Sequence, residues 1–367
     1  MKITAIHLYR YDIPLKAPIA ISLGTIEHAR NMLVEIQTDE SITGWGEGSP
    51  FWMIVGETQE SGLAAAKDMA KLLLGLNPLD IEGCLTTITR YLPGHVTTRS
   101  AFDMALYDIA AKAARMPLYQ FLGGSKRQLV TDETIYINAP ERMVEDALRI
   151  QAKGADAIKV KLGTNLHDDI KRVEAIRNAI GDTIPIRTDA NQGWDVITAS
   201  GVLRAIGSWN VQYCEQPIKR HDIAGLRRIR QTSTVPIMAD ESLFDATDAI
   251  RLIRDEAVDY FNIKLSKSGG IWEALKINAI AESAGVPCMI GCMSESRLAL
   301  TANAHFASAR QNVRFYDLDA CFEHAIDPIY GGITYNGYQI DLPETPGIGA
   351  EVDTDFLKGC QKITIEL

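Results

Sequence analysis

The chain has no cysteine pair at CxxC spacing, no apolar run near the ~20 residues of a membrane span and no surplus of positive charge. Each absence removes a class of function. Its six cysteines, Cys84, Cys214, Cys288, Cys292, Cys321 and Cys360, are scattered along the sequence. That argues against a zinc ribbon or a disulfide framework, and for reduced thiols in a cytoplasmic protein. A formal charge of −10 argues against a nucleic-acid partner. The opening MKITAIHLYRYDIPL alternates like a strand and lacks the basic-then-apolar build of a signal peptide, so no membrane partner is expected. Glycine-rich GWGEG at Gly44–Gly48 lacks the lysine and spacing of a phosphate loop.

What is present is a recurring unit. Between Ala157 and Gly270 the segments AIKVKLG, RTDANQGW, CEQP, ADES and NIKLSKSGG each end a short apolar run. A helical pattern follows each, such as Ile170, Val173, Ile176 and Ile180 after the first. The repeat of ~25 residues matches one strand–helix unit of a (β/α)8 barrel. If the strands lie parallel and side by side, their C-terminal ends meet, and with them Lys159, Lys161, Asp189, Glu215, Asp240 and Lys264.

Three carboxylates on adjacent strands repel one another in a dry pocket unless a cation lies between them. All-oxygen ligation without Cys or His suits Mg2+ rather than zinc. The lysines on the second and sixth strands flank the acids, an arrangement that fits two bases on opposite faces of one carbon. Lys159 and Lys161 are two apart and share a strand face.

At 367 residues the chain accommodates one large domain and a smaller one. Residues 1–124 read as an α+β module. Strands are expected at Lys2–Tyr11 and Asn31–Gln37, joined by a long loop at Pro14–Arg30, with a third strand at Gly44–Phe51. Helices follow at Gln59–Leu74, Pro78–Leu92 and Thr97–Ala114, and MPLYQFLGG closes the module. Residues 125–320 read as the barrel, a modified TIM barrel of the α/β class. Its strands are expected at Thr134–Asn138, Ala157–Lys161, Ile184–Asp189, Val211–Glu215, Pro236–Ala239, Tyr260–Lys264, Cys288–Ile290 and Arg314–Asp317, with seven helices between them. The segment 321–367 is loop and short strand, expected to return to the N-terminal cap in place of a last barrel helix.

Together these motifs resemble the enolase superfamily, in its muconate-lactonizing-enzyme-like subgroup, over essentially the whole chain. The resemblance carries a KxK motif onto Lys159-Val160-Lys161, three Mg2+-binding acids onto Asp189, Glu215 and Asp240, and a second base onto Lys264. It also covers GWGE, FDMALYDIAAK (Phe102–Lys112) and MPLYQFLGG in the cap. The implied reaction begins by removing a proton α to a carboxylate. With Lys161 and Lys264 on opposite faces, one takes the proton and the other returns it, which inverts the carbon. Lys159 is expected to assist the substrate carboxylate or tune its neighbour.

The eighth strand ends in FYDLDACF, placing Asp317 and Asp319 on one strand face. DxD here resembles the dipeptide epimerases, where the pair holds a substrate's free α-amino group. Thr134 matches a substrate-contacting position in those enzymes, and GCMSES (Gly291–Ser296), with Cys292 and Ser294, resembles a pocket-lining segment. Epimerases acting on L-Ala-Glu carry an arginine in the loop after the first strand, where this chain aligns Gly24. An unpaired glutamate under a closed cap is costly, so an apolar second residue is expected, as in L-Ala-X dipeptides. The small-molecule substrate is thus a dipeptide. Barrels of this type commonly form homo-oligomers, although no interface is legible.

Alternatives remain at this point. One is o-succinylbenzoate synthase with N-acylamino acid racemase activity, or muconate cycloisomerase; another is a non-catalytic barrel scaffold. Several other polar residues read as structural. His305 reads as a packed helical histidine, Asp103 and Asp108 as hydrogen-bonded within the cap, and Lys267 as a helix-start or rim residue. Glu241 reads as a neighbour that orients Asp240 or Lys264.

Overall fold

Two long antiparallel strands begin the chain, β1 (Ile3–Ile21) and β2 (Gly24–Thr38), followed by β3 (Thr43–Gly48). The computed structural model describes all 367 residues. The long loop expected at Pro14–Arg30 is instead a continuation of this hairpin. Its ladder runs from Ala5–Gln37 to Pro14–His28, shifts register, resumes at Ile19–Ile26 and ends at Ile21–Gly24. The turn is only Ser22 and Leu23. The shift falls where Pro14 and Pro18 offer no N–H to a ladder, and pairing of the remaining backbone groups explains why so apolar a segment is ordered.

Helices α1 (Trp52–Val55), α2 (Gln59–Leu73), α3 (Ile81–Tyr91), α4 (Val96–Ala113) and α5 (Leu118–Phe121) complete the cap. Thr58 caps α2 in a reciprocal box with Ser61, and Asp80 caps α3 through the Gly83 amide. GWGEG now has a packing explanation. A Cβ on Gly46 would lie 1.9 Å from Ala101 O, and one on Gly44 2.2 Å from Ala105 O. Alternate glycines therefore let β3 rest directly on the backbone of α4. Because α4 is also covered by β2 and the barrel, it is buried on every side instead of along the single stripe that Phe102, Ala105, Leu106 and Ile109 describe.

After the short β4 (Leu129–Val130), eight parallel strands follow in spatial order. They are β5 (Glu133–Ile135), β6 (Ile158–Lys161), β7 (Ile186–Asp189), β8 (Val211–Glu215), β9 (Ile237–Ala239), β10 (Tyr260–Ile263), β11 (Cys288–Ile290) and β12 (Val313–Tyr316). Between them run α6 (Pro140–Ala152), α7 (Leu166–Ile180), α8 (Val196–Ile206), α9 (Ile223–Thr232), α10 (Ala246–Arg254), the short α11 (Leu265–Ser268), α12 (Ile271–Ser283) and α13 (Arg297–Ala309). Local chemistry sets their starts: Asn165, Asp195, Asp222, Asp245 and Ser296 cap helices, and Pro140 occupies a first turn. The seam between first and last strands is closed by Asp132 N to Tyr316 O (3.3 Å), Leu318 N to Thr131 Oγ1 (2.8 Å) and Thr134 N to Asp319 Oδ2 (2.7 Å).

The main apolar core lies between strands and helices. Inside the barrel a smaller layer of Tyr213, Met238 and Met289 forms the floor. Arg187 packs over Tyr213 and Phe315 and pairs with Asp132 at 2.8 Å, so its buried charge is compensated. The tail then adds β13 (Ile329–Gly331), β14 (Thr334–Asn336), β15 (Gln339–Asp341), β16 (Ala350–Val352), α14 (Thr354–Lys358) and β17 (Lys362–Glu366). β17 pairs with β1, so the cap sheet runs β17-β1-β2-β3 and takes its edge strand from the chain's end.

Candidate active site

Strand register assembles the polar residues. Lys161 on β6 lies opposite Asp189 on β7, which lies opposite Glu215 on β8. Asp240 follows β9 directly and Lys264 follows β10. Lys161 Nζ is 2.6 Å from Asp189 Oδ2, and Lys264 Nζ is 2.9 Å from Asp240 Oδ2. All five groups are buried, and the two lysines face one cavity.

Backbone strain marks the same rim. Asn191, Gln192 and Gln216 have φ of 40°, 67° and 34°, in the left-handed region that side chains disfavour. Hydrogen bonds hold them there. Gln216 Oε1 accepts from the amides of Asp240 and Ser242, and the Asn191 amide donates to Asp189 Oδ1 at 2.9 Å. Asn262 Nδ2 donates to Glu215 Oε1 at 2.7 Å. Gly291 leaves room for this amide, since a Cβ there would lie 2.6 Å from Asn262 Oδ1.

Burial and charge pull the titratable groups apart. Burial raises Glu215, reinforced by Asp189, to about 7. Burial also raises Asp189 and Asp240, but Lys161 and Lys159 hold the first below its usual range and Lys264 and Lys267 hold the second well below it. For Lys264 burial favours the neutral amine, and Asp240 and Glu215 outweigh it, leaving the ammonium more stable than usual. Glu241 is driven up to about 8 by burial and by Asp240, and it accepts a hydrogen bond from Asn191. Asp189, Glu215 and Asp240 form a hard oxygen donor set suited to Mg2+. Glu215 Oε2 and Asp240 Oδ2 are buried at ion-pair distance from ammonium groups yet accept no directed hydrogen bond, which fits oxygens aimed at a cation.

The cavity encloses about 480 Å³ of non-atom space, counting its mouth. Ile19, Ile21, Phe51, Ile54, Cys292 and Met293 supply its apolar wall, and Thr134, Tyr136, Asn191, Asp317 and Asp319 its polar one. Asp317 and Asp319 thus reach the cavity, as the DxD pattern predicts, but they differ in state. Burial raises both. Lys159 and Lys161 bring Asp317 down to about 2, whereas Asp317 itself pushes Asp319 further up.

Three residues expected at the substrate lie off this wall. Lys159 is turned beneath the cavity, with Nζ 2.6 Å from Asp317, 2.8 Å from Glu215 and 3.4 Å from Asp189, so its ammonium is committed to protein carboxylates. Ser294 docks the cap: its carbonyl accepts from Asn31 and its amide donates to Ser49. Gly24 closes the hairpin turn opposite Ile21 and lies against Met53, and Ile19 and Ile21 face the cavity in its stead. Lys267, read as a rim residue, is fully buried and donates to Asp240 Oδ1 at 2.7 Å. His305 is packed as expected, between the Tyr119 amide and the Ile348 carbonyl. Asp108 ties the cap to itself and the tail, but Asp103 reaches out of the cap to hold the amides of Ile271 and Trp272.

Sequence reasoning passed over Ile19, Ile21, Ile54, Tyr136 and Asn191, whereas Met293 lies inside the GCMSES segment expected to line the pocket. A signal existed in the alternation of APIAISL and in Asn191 two residues after Asp189. Tyr136 stands two residues after Thr134 in the expected first strand, so the same spacing pointed to it.

The family described as mandelate racemase/muconate lactonizing enzyme, N-terminal domain, matches residues 3–123, and the family described as enolase C-terminal domain-like matches residues 142–356. A D-Ala-D/L-Ala epimerase from Cytophaga hutchinsonii is 43% identical over the full length of both chains. A hydrophobic dipeptide epimerase from Enterococcus faecalis is 42% identical over 95% of this chain and 99% of its own. A crystal structure of a dipeptide epimerase from Cytophaga hutchinsonii, complexed with Mg and D-Ala-L-Val, superposes with a TM-score of 0.98 at 43% identity, covering all of both chains. The chain therefore belongs to the mandelate racemase/muconate lactonizing enzyme branch of the enolase superfamily, and within it to the dipeptide epimerases, a family of isomerases.

Proposed function

We propose that this isomerase is a Mg2+-dependent dipeptide epimerase that inverts the α-carbon of the second residue by proton exchange between Lys161 and Lys264, and that it prefers apolar dipeptides of the L-Ala-X type. The observation that carries the reading is that both lysines face one cavity, each beside a different carboxylate of the Asp189, Glu215 and Asp240 set. Those three acids would hold Mg2+, which supplies electrostatic stabilisation for the charge that develops on the substrate carboxylate.

The chain's own residues do the rest. With a substrate between them, Lys161 removes the α-proton from one face while Lys264 delivers a proton to the other, and the roles exchange for the opposite isomer. Lys159 compensates Asp189, Glu215 and Asp317 from below. Asp317 and Asp319 would receive the substrate's free α-ammonium. The cap hairpin, whose Ser22 hydroxyl donates to Asn191 O at 2.8 Å, covers the cavity and excludes water.

Preference for an apolar side chain follows from the wall formed by Ile19, Ile21, Phe51, Ile54 and Met293, where the only cations are the two lysines. A glutamate side chain would be buried there without a partner. The relatives named for alanine and hydrophobic dipeptides support the same reading. The test is incubation with Mg2+ in D2O and a panel of L-Ala-X dipeptides, followed by mass spectrometry and NMR. Deuterium at the second α-carbon with inversion, fastest for X such as Val or Leu, is the expected result. Equal or faster exchange with L-Ala-L-Glu would discard the specificity, and no exchange in any dipeptide would discard the reaction.

A further inference from the structure

Apart from Asp189, Glu215 and Asp240, one group of side chains converges closely enough to hold a metal ion. Cys292, Asp317 and Asp319 each place a ligand atom within 4.8 Å of the other two, all three are buried, and all three line the cavity. The thiol comes from the loop after β11 and the acids from the end of β12, so the convergence is tertiary.

Each carboxylate has one oxygen fixed by a protein donor outside the group, while the other oxygen of Asp319 accepts only from the Cys292 thiol. Lys159 holds Asp317 Oδ2, and the Thr134 amide holds Asp319 Oδ2 at 2.7 Å. Outer partners of this kind orient the ligands of metal sites. The Cys292 thiol donates to Asp319 Oδ1 across 4.0 Å, a proton that a metal ion would replace. A tetrahedral zinc ion, with Zn–S about 2.3 Å and Zn–O about 2.0 Å, holds a sulfur and an oxygen about 3.5 Å apart, so this pair is within about half an ångström of ligand spacing, and the third ligand atom lies within 4.8 Å of both. Three protein ligands and one open position form an accessible zinc site, and a thiolate selects zinc over magnesium.

We infer that Cys292, Asp317 and Asp319 form a second metal site, for Zn2+ or another thiophilic divalent ion, separate from the Mg2+ acids and placed where the substrate ammonium would bind. Zn2+ and a dipeptide then exclude each other, which makes the site inhibitory; this last clause rests on the proposed role of Asp317 and Asp319. Binding forms bonds from the metal to Sγ and to one oxygen of each carboxylate, and protons held by these groups pass to solvent.

The probes are Zn2+ and Co2+, added to the full-length protein in saturating Mg2+. Expected are one Zn2+ bound per chain, a Co2+–thiolate charge-transfer band in the near ultraviolet, loss of that band in Cys292→Ser, and Zn2+ affinity weaker by about tenfold or more in Asp319→Asn. Zn2+, but not Mg2+, should also slow alkylation of Cys292 in the unmutated protein, a readout independent of whether either variant folds. A band that persists in Cys292→Ser, Zn2+ displaced stoichiometrically by Mg2+, or alkylation unaffected by Zn2+ would each overturn the site. None of these readouts requires turnover. If L-Ala-L-Val fails to reduce the Co2+ band, the metal site stands and the ammonium-binding role of Asp317 and Asp319 falls.

Discussion

Lys159 Nζ lies 2.6 Å from Asp317 Oδ2, joining β6 to β12 past the intervening β5. The same ammonium serves Glu215 and Asp189, and all four groups are buried. A charge shared among three buried acids cannot be removed without leaving like charges uncompensated. Lys159→Met is expected to lower unfolding stability by about 3–5 kcal/mol in urea melts. Adding Asp317→Asn should recover part of that loss. A single variant as stable as the parent would show that the carboxylates protonate at no cost.

Asp317 and Asp319 also line the cavity, and here the prediction concerns chemistry. Asn at both positions keeps the shape and removes the negative charge. For L-Ala-X dipeptides, kcat/KM is expected to fall by a factor on the order of 10²–10³, as when one partner of a buried charge pair is lost. Proton exchange on an N-acylated amino acid, which has no ammonium, should change little. Equal losses on both substrates would place the pair in the framework instead of the binding site.

Two bases on opposite faces predict a particular asymmetry. Lys161→Ala and Lys264→Ala should each reduce net epimerisation by a factor on the order of 10²–10⁴. Each should still catalyse solvent exchange at the α-carbon of one stereoisomer, and the two variants should favour opposite isomers. NMR in D2O reads both quantities. If both variants exchange the same isomer, the lysines act on one face and the two-base reading fails.

The barrel and its polar rim were legible because each carries a local signature: an apolar run of strand length, then a charged residue at its C-terminal end. Val211–Glu215 and Cys288–Ile290 match the observed strands, and the others differ by a few residues at most. What escaped was tertiary. Lys159 and Lys161 share a face and a sequence context, yet one is committed to Asp317 and the other reaches the cavity, because only the closed barrel brings β12 near β6. The hairpin at β1–β2 read as loop because two prolines interrupt its alternation. Lys267 read as rim because a four-residue helix folds it back under Asp240.

Gly291 exemplifies a residue whose importance only the packing shows. A Cβ there would meet Asn262 Oδ1 at 2.6 Å and Nδ2 at 2.8 Å, displacing the amide that holds Glu215 Oε1. Gly291→Ala is therefore expected to weaken Mg2+ binding about 10–100-fold by calorimetry, the range seen when a partner orienting a metal ligand is lost. Gly94→Ala is the control, since nothing lies within 4 Å of its Cβ position. Equal Mg2+ affinity in the two variants would remove Asn262 from the account of the metal site.

His305 gives the acid side of the stability profile. Burial lowers its pKa from 6.5 to about 4, and its ring stays neutral between the Tyr119 amide and the Ile348 carbonyl. Between these two values the unfolded chain takes up a proton that the folded one refuses. The contribution is complete above pH 6.5, shrinks as pH falls and levels off near pH 4, amounting to about 3 kcal/mol. Buried carboxyls with raised pKa, such as Asp103 at about 7, act in the opposite sense and tend to favour the fold as pH drops. The comparison must therefore be with His305→Gln, which keeps one donor and one acceptor but cannot titrate. Wild type should lose about 3 kcal/mol more than this variant between pH 6.5 and pH 4 in urea melts. Parallel profiles would mean that His305 is protonated within the fold, with the Tyr119 amide then left without its acceptor.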